Sequence, residues 1–156
     1  IMVVDPIRPL ADTPENIQIR SKLIKDQQIP TLAGVQPDYY QFYANDQLCY
    51  HLVAVEGFMP EISIALQSYQ SVLAAQQQET LLNTPKELQT PCFLANYVYA
   101  AVEYTSKGFP IEQWDMTGYR RSLSGIQENL TVDPSLFDLP DDYGYFSIGG
   151  GGEPRI

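Results

Sequence analysis

The sequence predicts a mainly α fold, a small helical domain of about four helices with extended N- and C-terminal arms. Two observations carry that prediction. Thr13-Pro14, Thr84-Pro85 and Thr90-Pro91 each set a capping hydroxyl directly before a proline, the order in which helices open. Between residues 60 and 82, Ile62, Leu66, Tyr69 and Leu73 recur at heptad-like spacing, with Ala65 and Val72 beside them.

Residues 1–12 read as an extended arm, because Pro6 and Pro9 interrupt any helix among scattered Val and Ile. Thr13-Pro14-Glu15 then opens a helix expected to run to about Gln28, ahead of Pro30, with Ile17, Leu23 and Ile24 toward the core. From 38 to 58 two readings compete. One is a helix with Tyr39, Tyr43, Tyr50 and Val53 on one face. The other is an α+β fold with a β-hairpin at 38–56 turning at Asn45-Asp46. Aromatic content favours strands, yet Val53 and Val55 are the segment's only β-branched residues and its neighbours read as helical, so helix is preferred.

Met59-Pro60-Glu61 opens the clearest helix, 60–82, which Asn83-Thr84-Pro85 stops. A short helical turn follows Pro85, and a long helix is expected over 91–107, closed by Lys107-Gly108. A last helix is expected near 117–130 through Tyr119, Leu123, Ile126 and Leu130, although Gly118 and Gly125 weaken it. Residues 13–130 thus form the helical domain, and 131–156 an acidic, aromatic C-terminal arm.

Nine basic against nineteen acidic residues give a net charge of −10, which repels phosphate backbones and anionic lipid. No direct nucleic-acid binding and no membrane insertion are therefore expected, and no apolar run approaches the roughly 20 residues that span a bilayer. The chain reads as soluble, in a virion or the cytoplasm. An acidic inhibitor or mimic that occupies a basic nucleic-acid-binding protein stays open as an alternative function.

The charge is unevenly spread. No lysine or arginine lies between Lys25 and Lys86, and the 60–82 helix has only Glu61 and Glu79 as charges. Its polar residues are neutral: Gln67, Ser68, Gln70, Ser71 and Gln76 to Gln78. A solvated helix usually carries paired Glu and Lys, whereas amides that can be re-bonded cost far less to desolvate than charges and suit contact with another polypeptide. Burial as a central helix of one domain explains the same pattern. The 91–107 helix, with Tyr97, Tyr99 and Tyr104, has the same character.

Chemistry-bearing residues are sparse. Cys49 and Cys92 read as free buried thiols without metal-type spacing. A thiol-dependent enzyme remains as an alternative, with Cys92 in the first turn of its helix and His51, the lone histidine, as base. Asp138, Asp141 and Asp142 lack the frame of a calcium loop, and the Gly149 to Gly152 run lacks the lysine and helix of a phosphate loop, so no cofactor or metal is expected.

The C-terminal arm holds too many large apolar groups to be a solvating tail and too few to form a core. It needs a surface, either its own helices or a neighbouring subunit. The expectation is therefore a non-enzymatic structural or assembly subunit that forms homo-oligomers or binds other structural proteins. A phage or virus virion component of connector, neck or capsid-associated type is its concrete form. Tyr69, Tyr97, Phe137, Tyr143, Tyr145 and Phe146 are the expected interface residues.

Overall fold

Asp38–Ala44 and Gln47–Val55 pair as an antiparallel hairpin, and this hairpin is the centre of the molecule. The computed structural model describes residues 2–3, 12–25, 27–127, 129–138 and 146–147. Strands β1 (Met2–Val3) and β7 (Phe146–Ser147), from the two arms, pair with each other in parallel. Strands β2 (Ile19–Ile24), β3 (Asp38–Ala44), β4 (Gln47–Val55), β5 (Phe109–Asp115) and β6 (Arg120–Ser122) form a five-stranded antiparallel sheet in sequence order. Against it pack α1 (Pro60–Glu79), α2 (Pro91–Leu94) and α3 (Ala101–Thr105), with a π-helical turn at Ala95–Tyr99 between the last two.

The mainly α expectation is thus overturned by the sheet, and the α+β alternative with a hairpin comes nearer. Asn45 and Asp46 sit at the tip with φ of 48° and 63°. Both are left-handed, as a two-residue turn between twisted strands requires, and Asn and Asp tolerate that region. Burial along the hairpin then decides against a helix: Tyr39, Phe42, Ala44, Leu52, Val53 and Ala54 are all buried, spread over both faces of the sheet.

The helix expected from Thr13 to Gln28 is one turn followed by a strand. Ile17 N–H donates to Pro14 C=O at 2.9 Å, so the cap-plus-proline signal is used, but β2 takes over two residues later. Its alternation explains why: Ile19, Ser21 and Leu23 share the face of Phe42, while Arg20 and Lys22 share the opposite one. The helix expected over 117–130 is also absent. Asp115 Oδ1 accepts from Thr117 N–H at 2.8 Å and Tyr119 N–H at 3.0 Å, closing a turn through Gly118 that returns the chain as β6. The single helix of 91–107 is broken at Ala100, which has φ −123° and ψ 15°. The expected starts at Pro60 and Pro91 do hold; Thr90 Oγ1 accepts from Phe93 N–H at 3.2 Å.

The core lies between the hairpin and the rod formed by α2, the π-turn and α3. Phe42 meets Tyr104 edge-on and Tyr50 stacks on the same ring, each with centroids 4.5 Å apart. Ala44, Ala54 and Ala95 fill the rest of this cluster, so the rod approaches the sheet closely. Pairing shifts between Phe42 and Tyr43: Phe42 faces Tyr50 but Tyr43 faces Leu48, leaving Cys49 as an extra residue in β4. Cys49 therefore joins Tyr50 and Leu52 on the rod side, where it bonds Cys92 at the start of the rod.

Gly108, with φ +125°, joins α3 to β5 beneath the backbone of Val55; a Cβ there would lie 2.6 Å from the Val55 carbonyl oxygen. Gly118 has φ +100° and open space around it. Gly118→Ala should therefore cost about 1–2 kcal/mol from φ alone, and Gly108→Ala about 3 kcal/mol or more, because strain and a backbone clash add. Urea denaturation of both variants checks the order; equal losses would refute it.

Candidate protein interface

Helix α1 turns its polar and small residues inward. Ser63 and Ala74 are its only buried residues, and Gln67 between them donates its Nε2 proton to Thr105 C=O on α3 at 3.1 Å. Residues 63, 67, 70 and 74 follow the i, i+4, i+7, i+11 spacing of one helical face. The apolar heptad read from the sequence lies one residue to the side of that face. Ile62 is 47% exposed, Ile64 62% and Tyr69 58%, while Leu66 and Leu73 are half-buried. With a charge only at Glu61 and Glu79, this outer surface has neither the apolar burial of a core helix nor the alternating Glu and Lys of a solvated one.

Between α1 and the rod runs a cleft with two connected parts. The wider, of about 480 Å³, is bounded by Leu73, Ala74, Gln77 and Thr80 on the α1 side and by Tyr97 and Ala101 on the rod. Gln70, Tyr97 and Ala101 also line the narrower part, of about 190 Å³, which is closed by the phenols of Tyr50, Tyr104 and Tyr119 and by Arg121. Burial raises the pKa of Tyr50, Tyr97 and Tyr104, with further contributions from neighbouring phenols, so these groups are neutral hydroxyls at pH 7. Arg121 donates from Nε and Nη2 to Oε1 of buried Gln113, the first at 2.9 Å. That partner is a neutral amide. Among the described residues no ion pair offsets the Arg121 charge, whereas Arg120 is paired with Glu112.

Of the expected interface residues, Tyr97, 51% exposed, lines the cleft, and Tyr69 sits on α1 next to Gln70, which lines it too. Phe137 is 79% exposed at the end of a 3-10 turn, Pro134–Phe137, away from the core. Phe146 is in β7, and Tyr143 and Tyr145 lie outside the described residues, as do Asp141 and Asp142. Compared with family models, curated proteins and solved structures, the chain matches none. Its function must be read from the geometry.

Cys92 and His51 are not brought together. The two cysteines, read as free thiols, form a disulfide on the rod side of the sheet, which leaves no thiolate for catalysis. His51 points to the other face, in a row with Gln41 and Trp114. There Tyr43 Oη donates to Gln41 Oε1 at 2.7 Å, Gln41 Nε2 donates to Tyr39 Oη at 3.2 Å, and Tyr39 Oη lies 2.6 Å from His51 Nδ1. With the imidazole proton on Nε2, Nδ1 accepts the Tyr39 hydroxyl proton. Trp114 stacks on the imidazole at 4.5 Å, and Arg20 covers the Tyr43 ring at 4.2 Å. Sequence reading did not find this array, whose signal was the period-2 spacing of Tyr39, Gln41 and Tyr43.

Two outcomes follow. Without reductant, iodoacetamide should label neither cysteine, and Cys49→Ser/Cys92→Ser should lose about 4 kcal/mol, since the bond closes a loop of sequence separation 43. Calorimetry would then record a fall in Tm of about 10 °C. For His51, burial lowers the folded-state pKa, so the unfolded chain takes up the proton first as pH falls below about 6.5. Stability should drop from that pH down to the folded-state pKa and then level off. His51→Gln should flatten that part of the profile in denaturation curves at pH 5.5 and 7.5; an unchanged slope would refute the assignment.

Proposed function

We propose that this chain is a non-enzymatic structural subunit that works by contact with other protein, through α1 and the adjoining cleft. The observation that carries the reading is the reversal in α1, which buries Ser63 and Ala74 and exposes Ile62, Ile64 and Tyr69. Of the two explanations for a charge-poor helix, a buried central position is not the one α1 occupies. That leaves a surface that gains by being covered. Tyrosines at its edge add rigid contact area with a hydroxyl at the end, and the amides of Gln and Ser can re-bond across a contact without desolvating charge.

The Cys49–Cys92 bond supports a working place outside a reducing cytosol, since disulfides persist mainly in secreted, periplasmic and virion-surface settings. A virion component of connector, neck or capsid-associated type fits both features. The expected mass by light scattering coupled to size exclusion, at micromolar concentration and physiological salt, is several times 17.6 kDa. Ile64→Lys and Tyr69→Lys should reduce that mass toward the monomer while shifting stability by no more than about 0.5 kcal/mol, as exposed sites do. A wild-type monomer across the concentration range would overturn self-assembly.

A further inference from the structure

The 3-10 turn Pro134–Phe137 presents two large side chains that the domain does not cover. Leu136 is 73% exposed and Phe137 79%. Asp133 fixes the turn by accepting from Ser135 N–H at 3.0 Å, and Pro134 restricts it further, so little conformational freedom is left to lose on docking. Asp138 follows directly and makes no ion pair among the described residues.

The cleft beside α1 has the complementary features. Its wider part, about 480 Å³, is walled by Leu73, Ala74, Tyr97 and Ala101, with room for two large apolar side chains in place of waters of roughly 30 Å³ each. At its narrow end stands Arg121, whose charge is held in place by Gln113 and not neutralised by a described carboxylate. The turn offers two apolar anchors followed by an acid, and the cleft two apolar walls followed by a base. In a chain of net charge −10, where copies repel one another overall, such a local pairing is needed for copies to approach in one orientation.

We propose that the Leu136–Phe137 turn of one copy seats in the α1 cleft of a second copy, with Asp138 against Arg121. This rests on the assembly reading and names its contact. Because turn and cleft are different patches of one chain, the contact is head-to-tail: it closes into a ring or extends as a filament, and an open chain of copies keeps one free turn at one end and one free cleft at the other until closure. Large anchors entering a pocket carry most of the affinity of such a contact, and the charge pair sets its register.

The test uses full chains and light-scattering mass. Leu136→Ser/Phe137→Ser changes only exposed side chains and should leave the melting temperature unchanged while weakening self-association at least tenfold. Arg121→Asp should do the same, and Arg121→Asp/Asp138→Arg should restore association. Mixing the turn-defective chain with the Arg121→Asp chain should give a 1:1 complex that neither forms alone, since one supplies an intact cleft and the other an intact turn. An oligomer indifferent to Leu136→Ser/Phe137→Ser, or failure of that mixed pair to associate, overturns this contact and leaves assembly through α1 standing. A wild-type chain that stays monomeric overturns both.

Discussion

The bond between Cys49 and Cys92 joins the middle of the sheet to the first turn of the helical rod, and the placing of that rod governs the rest of the molecule. Cys49 reaches the rod side only because β4 carries one residue more than β3 opposite Phe42 and Tyr43. With the rod start pinned there, Tyr104 reaches Phe42 and Tyr50, and the three rings pack together in the core. The chain then leaves α3 through Gly108, pressed against Val55, and enters β5 beside β4. A covalent link across a long loop, a bulge and one glycine thus hold sheet and rod in a single arrangement. The link restricts the unfolded chain as well as the folded one.

Helix α1 is outside that arrangement. It meets α3 and the π-turn through Ser63, Gln67 and Ala74, residues too small or too polar to give much apolar burial. Its Ile62, Ile64 and Tyr69 are exposed, while Leu66 and Leu73 are half-buried. The two faces of the sheet differ as well. One is the aromatic core, and the other carries a polar and aromatic row from Lys22 through Gln41, His51 and Trp114 to Arg120.

What was legible in the sequence was local. Pro60, and Thr90 before Pro91, gave correct helix starts, and Asn45-Asp46 gave the hairpin turn when strands were allowed. The strands themselves were hidden because β3 and β4 bury residues on both faces, which erases alternation, and because tyrosine and phenylalanine fit either a helix or a sheet. Thr13-Pro14 opened only a turn, since pairing with β3 outweighed a helix whose apolar residues made no continuous stripe. The disulfide was illegible: Cys49 and Cys92 meet only through a bulge and a rod that no spacing announces. For α1, the absence of lysine and arginine could be read directly, but which side faced the domain could not. That depended on the rod beside it.

With the imidazole proton on Nε2, the line from Tyr43 through Gln41 and Tyr39 to His51 has a direction, each proton given toward the imidazole. Within it, Gln41 and Tyr39 each both give and take. An imidazolium would need its Nδ1 to donate, and the Tyr39 oxygen has a second lone pair to receive that proton while it keeps the bond from Gln41, so only the Tyr39 hydroxyl would have to turn. Tyr43 lies beneath the Arg20 guanidinium on the neighbouring strand. A proton arriving at the centre of the sheet would therefore be registered at the Tyr39 hydroxyl, and the rest of the line out to the edge would stand.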